Sequence, residues 1–150
     1  MIQKMIYVLD SCAVIAYARD EVGADRVEQV LLEADCVILT TNWAEIYKEF
    51  LISKSIEAHS KDTQAFGLRL ALAGMGVHFE NVIDLQMAET AAALKSMTMG
   101  TKGRTIAYCD CFALAYAIKV SGCLLTADGE FELFRQKGYP IEYFRESGKH

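Results

Sequence analysis

The stretch Met5–Asp10, MIYVLD, decides the fold. Five apolar residues rich in strand formers, closed by a carboxylate, read as a short strand buried on both faces. Such a strand belongs inside a parallel sheet with helices packed on each side. The neighbouring segments keep to that plan. Asp10–Arg19 continues as a helix, Ala24–Glu33 is a second, and Cys36–Leu39 (CVIL) is another buried strand. Asn42–Lys54 sets Trp43, Ile46, Tyr47, Phe50 and Leu51 at the spacing of an amphipathic helix. His59–Ala73 is a helix ended by Gly74 and Gly76, Val77–Phe79 a short strand and Leu85–Ser96 an Ala-rich helix. Ile106–Val120 is a helix stopped by Gly122; strand Cys123–Thr126 (CLLT), helix Glu130–Gln136 and strand Ile141–Phe144 complete the order. The alternation predicts an α/β three-layer sandwich: a central parallel sheet of four to five short strands flanked by helices.

A chain of 150 residues fits one domain. With 53% hydrophobic and 23% charged residues it is neither disordered nor collagen-like, and 10 Gly with 1 Pro are too few for a linker. Twenty acidic against 15 basic residues, net −5, disfavour a protein that coats DNA by charge. Nucleic acid as a substrate stays open, because local patches and bound cations reverse the sign where it matters. The cysteines (Cys12, Cys36, Cys109, Cys111, Cys123) are odd in number and form no Cys-x-x-Cys pair, which points to buried thiols in a reducing compartment. No secretory signal and no membrane span are expected: the first apolar run ends at Asp10, and Asp110 splits Thr105–Ile118. The expected location is the cytoplasm.

The acids carry the chemistry. Asp10 follows the first strand directly, Asp128 follows the Cys123–Thr126 strand, and Glu45 lies one turn into the helix after Cys36–Leu39. Ligands of parallel sheets bind at the carboxyl ends of the strands, so topology delivers three carboxylates to one rim. Asp110 is the fourth, set in an otherwise apolar helix where an unpaired charge is heavily penalised. It must be paired, protonated or on a metal. Each acid also has a plainer reading. Asp10 and Asp128 suit helix N-caps, Asp128–Gly129 a turn, Glu45 a capping partner of Asn42, and Asp110 a buried acid bonded to a hydroxyl or amide. Converging carboxylates demand a cation: two charges ~5 Å apart repel by roughly 3 kcal/mol at an effective dielectric of ~20. Oxygen donors favour Mg²⁺ or Mn²⁺ over zinc, and such ions promote phosphodiester hydrolysis.

Four segments, Val8–Ile15 (VLDSCAVI), Asn42–Glu45 (NWAE), Asp110–Ala117 (DCFALAYA) and Thr126–Phe131 (TADGEF), stand in the order seen in PIN-domain nucleases. Over residues 5–144 the chain most resembles the VapC-type toxins of toxin–antitoxin pairs. The resemblance implies that Asp10, Glu45, Asp110 and Asp128 are catalytic and hold Mg²⁺ or Mn²⁺, with Ser11, Asn42 and Thr126 in support. Glu130 stands where some relatives carry another acid, and its role is open. Also implied are metal-assisted cleavage of RNA to 5′-phosphate and 3′-hydroxyl ends, a homodimer, and a small antitoxin partner. A PIN-domain RNA-processing nuclease without an antitoxin, and a catalytically silent metal- and partner-binding scaffold, are the alternatives.

Other features weigh less. Lys102 and Arg104, before the Asp110 helix, are candidates for gripping RNA phosphates, with Lys48, Lys54 and Arg69 as substitutes. Trp43 and Tyr47 suit base stacking, although their spacing with Phe50 favours core packing. His59 and His78 lack partners at metal-ligand spacing. Ser11 and Cys12 after Asp10 break the Asp-x-Asp of haloacid-type phosphatases, Thr126–Asp128 offers no receiver-type lysine, and Cys12 and Val14 replace the serines of adhesion-type metal modules. The helices around Ala13–Ala18, Val27–Leu32 and Phe50–Ala73 hold more apolar surface than a small monomer hides, so either a partner or further in-chain packing covers it.

Overall fold

The structure, a computed structural model, describes residues 4–100 and 105–146. Its five strands are β1 (Ile6–Leu9), β2 (Asp35–Leu39), β3 (His78–Glu80), β4 (Cys123–Thr126) and β5 (Ile141–Tyr143). They form one sheet in the order β3-β2-β1-β4-β5, every neighbouring pair parallel. β1 sits at the centre, with Val8 opposite Val37 on one side and Leu124 on the other. The chain grows outward from β1 to β3, then returns to place β4 against the other side of β1. The winding therefore reverses between β1 and β4, which is where open parallel sheets leave a crevice.

Seven helices among the described residues connect the strands: α1 (Ser11–Ala18), α2 (Ala24–Glu33), α3 (Thr40–Ile52), α4 (Lys61–Gly74), α5 (Leu85–Thr98), α6 (Tyr108–Lys119) and α7 (Glu132–Gln136). Because strand side chains alternate, consecutive residues serve opposite faces. Leu9, Ile38 and Leu125 pack with Val14, Val27, Ile46 and Leu72, so α1 to α4 cover one face. Val8, Leu39 and Leu124 pack with Leu94, Leu114 and Phe134, so α5 to α7 cover the other. This is the three-layer sandwich read from the alternation of strands and helices. Among the described residues no helix is long and apolar enough to cross a membrane.

Several boundaries shift by one or two residues from the sequence reading, and two of the shifts have a clear local reason. α3 begins at Thr40 rather than Asn42, because Leu39 already holds the extended N-cap conformation and β2 runs straight into the helix. α6 begins at Tyr108 rather than Ile106, whose backbone is engaged with α5. The Ile106 amide donates to Thr98 Oγ1 (3.3 Å), and its carbonyl accepts from Lys95 Nζ (2.8 Å). The edge strand β5 is fixed by Glu142, which accepts from Tyr7 Oη (2.8 Å) and from Arg26 Nε and Nη2 (2.9 and 3.0 Å).

Gly122 lets β4 lie close to β1: a Cβ there would stand 2.5 Å from the Ile6 carbonyl oxygen. Gly67, within α4, has nothing within 4 Å of its own Cβ position. Thermal unfolding should separate the two. Gly122→Ala is expected to destabilise by about 1–3 kcal/mol through overpacking. Gly67→Ala is expected to stabilise by about 0.5–1 kcal/mol, since helix interiors disfavour glycine.

Candidate active site

Asp10 stands where β1 ends. Its amide extends the sheet ladder to the Leu125 carbonyl (3.0 Å), and its side chain caps α1. The N-cap reading is thus correct locally, yet capping uses one lone pair of a carboxylate that is only 2% exposed. Oδ1 accepts from the Ser11 amide (2.9 Å) and from Asn42 Nδ2 (3.3 Å). Oδ2 accepts from Thr126 Oγ1 (2.7 Å) and from Cys12 Sγ (3.5 Å). Four donors occupy the four acceptor positions that a carboxylate offers.

These donors link Asp10 to the other acids. Asn42, fully buried in the first turn of α3, also donates to Glu45 Oε1 (3.5 Å), so one amide bridges two carboxylates. It does not cap the helix, which overturns the capping-pair reading of Asn42 and Glu45. The Thr126 hydroxyl donates to Asp10 and accepts the Asp128 amide (3.0 Å). Asp128 itself accepts from the Glu130 amide (2.9 Å), which shapes the short turn after β4. Asp110, in the first turn of α6 and 9% exposed, shares a cluster with Asp128 and Glu130 in which one oxygen from each lies within 4.8 Å of the others.

The electrostatics follow from this crowding. Burial, then the charges of Asp10, Asp128, Glu45 and Glu130, push the Asp110 carboxyl up to about 8. Burial also raises Asp10, against the bonds from Thr126 and Ser11, and raises Glu45, where the Asp10 charge adds to the effect. All four partners of Asp10 donate, whereas what acts on Asp110 is lost hydration and repulsion. Asp10, Glu45 and Asp110 are thus raised together, so in the cation-free protein the cluster as a whole favours holding a proton. Among the described residues no lysine or arginine forms an ion pair with Asp10, Glu45, Asp110 or Asp128. Carboxylate oxygens crowded in this way suit a hard divalent cation.

The remaining candidates fall elsewhere. Ser11 contributes its backbone amide. Lys102 and Arg104 lie outside the described residues. Lys48 pairs with Glu49 (2.7 Å), and the Arg69 guanidinium lies 5.0 Å from the centre of the Phe66 ring. Trp43 is half-buried and packs edge-on against Phe79 (5.7 Å) at the margin of the α1–α4 core, and Tyr47 donates to Asp62. His59 and His78 pair with Glu57 and Glu80. Two residues gain in importance over the sequence reading. Glu130, whose role was open, joins the acid cluster; Cys12, read as a buried core thiol, touches Asp10. The available signal for Cys12 was its place two residues beyond the cap, where a helix's first turn folds back on its own N-terminus.

The chain shares its architecture with solved toxin–antitoxin proteins. A chain of the Rickettsia felis VapBC2 complex, solved on a fragment of promoter DNA, superposes with a TM-score of 0.68 at 18% identity, covering 93% of this chain and 98% of that one. A chain of Haemophilus influenzae VapBC-1 gives 0.67 at 20% identity, with coverage of 93% and 98%. Mycobacterium tuberculosis VapC20, described as a toxin that cleaves the sarcin-ricin loop, gives 0.59 at 11% identity, with coverage of 89% and 95%. Identities this low establish a common fold. No curated protein is significantly similar to the chain in sequence. The PIN domain family, by contrast, matches residues 7–137, a span that runs from β1 to the end of α7 and takes in every acid of the cluster; the chain belongs to the PIN domain family.

Proposed function

We propose that this protein is an endoribonuclease that hydrolyses RNA phosphodiester bonds with Mg²⁺ or Mn²⁺ held by Asp10, Glu45, Asp110 and Asp128. We further propose that it acts in the cytoplasm as the toxin of a toxin–antitoxin pair. The observation that carries the reading is the cluster of Asp110, Asp128 and Glu130, with one oxygen of each within 4.8 Å of the others, on which the charges of Asp10 and Glu45 also act. A bound divalent ion lowers the pKa of water and offsets negative charge that develops on a phosphate.

The chain's own groups prepare for that. Thr126, Asn42, Cys12 and the Ser11 amide fix both oxygens of Asp10, so its orientation is set before any ligand arrives. The proton on Asp110 must leave when a cation takes its place. Glu45 is less enclosed than Asp10. Asp128 is held by Thr126 through its amide, which leaves its carboxylate to serve the ligand and the turn.

Partners are supported from two directions. The structural relatives include VapBC complexes, and this chain leaves Leu51 and Ile52 at the end of α3 and Phe66 and Leu70 on α4 between 46% and 60% exposed. α1 and α2, by contrast, bury most of the apolar surface that the sequence shows. A small antitoxin on the α3–α4 surface and a homodimer complete the proposal. All five cysteines are free thiols, in keeping with a reducing compartment.

Asp110→Asn is expected to abolish Mg²⁺-dependent cleavage of RNA, a loss of about 100-fold or more in kcat, while the circular dichroism spectrum stays that of wild type. Full activity in this variant would refute the mechanism.

The raised Asp110 carboxyl also sets a pH dependence. The folded state keeps a proton up to about pH 8 that the unfolded chain releases near its ordinary 3.8. Folded protein thus binds more protons across that window, and stability falls as pH rises through it. The metal-free melting temperature should drop between pH 5.5 and 8. Asp110→Asn or saturating Mn²⁺ should flatten the slope; an unchanged slope in Asp110→Asn would contradict the assignment.

A further inference from the structure

The sulfur of Cys12 sits at a junction that the acids alone do not explain. It accepts the amide of Ala127 (3.3 Å), lies 3.5 Å from Asp10 Oδ2 and lies 3.5 Å from Thr126 Oγ1. Ala127 joins Thr126 to Asp128, so this amide belongs to the segment that presents Asp128 to the cluster. Its residue is buried at 9% exposure, where water does not replace a lost acceptor. Cys12 is a free thiol, which offers both a donor and an acceptor, and here both are in use.

The same hydrogen has two acceptors at equal distance. Pointed at Asp10 Oδ2 it completes the four donors around that carboxylate, leaving no lone pair for a cation. Turned about the Cβ–Sγ bond toward Thr126 Oγ1, it frees one lone pair of Oδ2 with no displacement of a heavy atom. Thr126 already donates to Asp10 and accepts from Asp128, and a hydroxyl oxygen has room for one further donor.

We propose that Cys12 is a positioning residue of the acid cluster: its sulfur anchors the Ala127 amide, and with it Asp128, against Asp10, while its hydrogen turns to Thr126 to open Asp10 to a divalent cation. The proposal rests on the metal-binding reading of the site given above. It assigns Cys12 no bond to the metal and no contact with RNA.

The test is Mn²⁺ binding by calorimetry to wild type, Cys12→Ala, Cys12→Val and Cys12→Ser, with amide hydrogen exchange at Ala127 and Asp128 followed by NMR in the metal-free proteins. Cys12→Val fills the space without a donor or acceptor and stands in should Cys12→Ala fail to fold. Both apolar variants are expected to bind Mn²⁺ about tenfold more weakly and to exchange the Ala127 amide faster. At subsaturating Mn²⁺ they should lose kcat/KM on RNA in proportion, since weaker cation binding also weakens RNA binding. Cys12→Ser retains a donor and an acceptor and should stay within about threefold of wild type in Mn²⁺ affinity. Wild-type Mn²⁺ affinity in the apolar variants, or a loss in Cys12→Ser as large as theirs, overturns the role of Cys12 and leaves the metal site standing. Failure of the wild type itself to bind Mn²⁺ overturns the metal-binding reading and this proposal together.

Discussion

A carboxylate removed from water loses several kcal/mol that only well-placed partners return, and everything around Asp10 is arranged to return it. The residue is 2% exposed, and its four hydrogen bonds come from α1, α3 and β4. Those bonds decide more than the fate of one side chain. They fix where α3 begins relative to β2, how the end of β4 lies against β1, and which way Asp128 faces. The site is therefore a part of the fold's polar framework.

Asp110 is the counterpart. It lies in the same crowd of charge, but lost hydration and repulsion act on it without a set of donors to compensate. Two buried acids, both raised and each feeling the other's charge, make a pair with a strong tendency to hold a proton and a strong response to any cation that replaces it. Apolar packing on both sheet faces supplies the stability that this unfinished arrangement draws on.

Much of this was legible in the sequence because short β-rich runs ending in Asp leave little choice of topology. The strands MIYVL and CLLT, each followed closely by an acid, already place Asp10 and Asp128 at one edge of a parallel sheet. What the pattern could not supply was contact. The two-residue shift of α3 turned Asn42 from an expected cap into a bridge between Asp10 and Glu45, and no propensity distinguishes those roles. Cys12 reads as apolar in any composition, and its hydrogen bonds exist only once β4 lies beside β1. The apolar surplus was recognised in kind but not in place: α1 and α2 turn most of it inward apart from Leu32, whereas α3 and α4 leave Leu51, Ile52, Phe66 and Leu70 on the surface. Periodicity shows that a helix has an apolar side, and tertiary packing decides how much of that side is covered.

Charge joins the cation to the substrate. A chain of net −5 with carboxylates at the crevice repels a polyanion from the very place where a phosphate would react. Under the proposed function, cation binding reverses that local sign, so RNA affinity and metal affinity are one linked equilibrium rather than two separate properties. Linkage is reciprocal: whatever factor the ion adds to RNA binding, RNA adds to ion binding. An acid cluster that holds its proton near neutral pH in isolation would then become fully charged and metal-loaded as substrate arrives. Burial and neighbouring charge are what raise the Asp110 carboxyl, and under the proposed function the cation would reverse both effects at once.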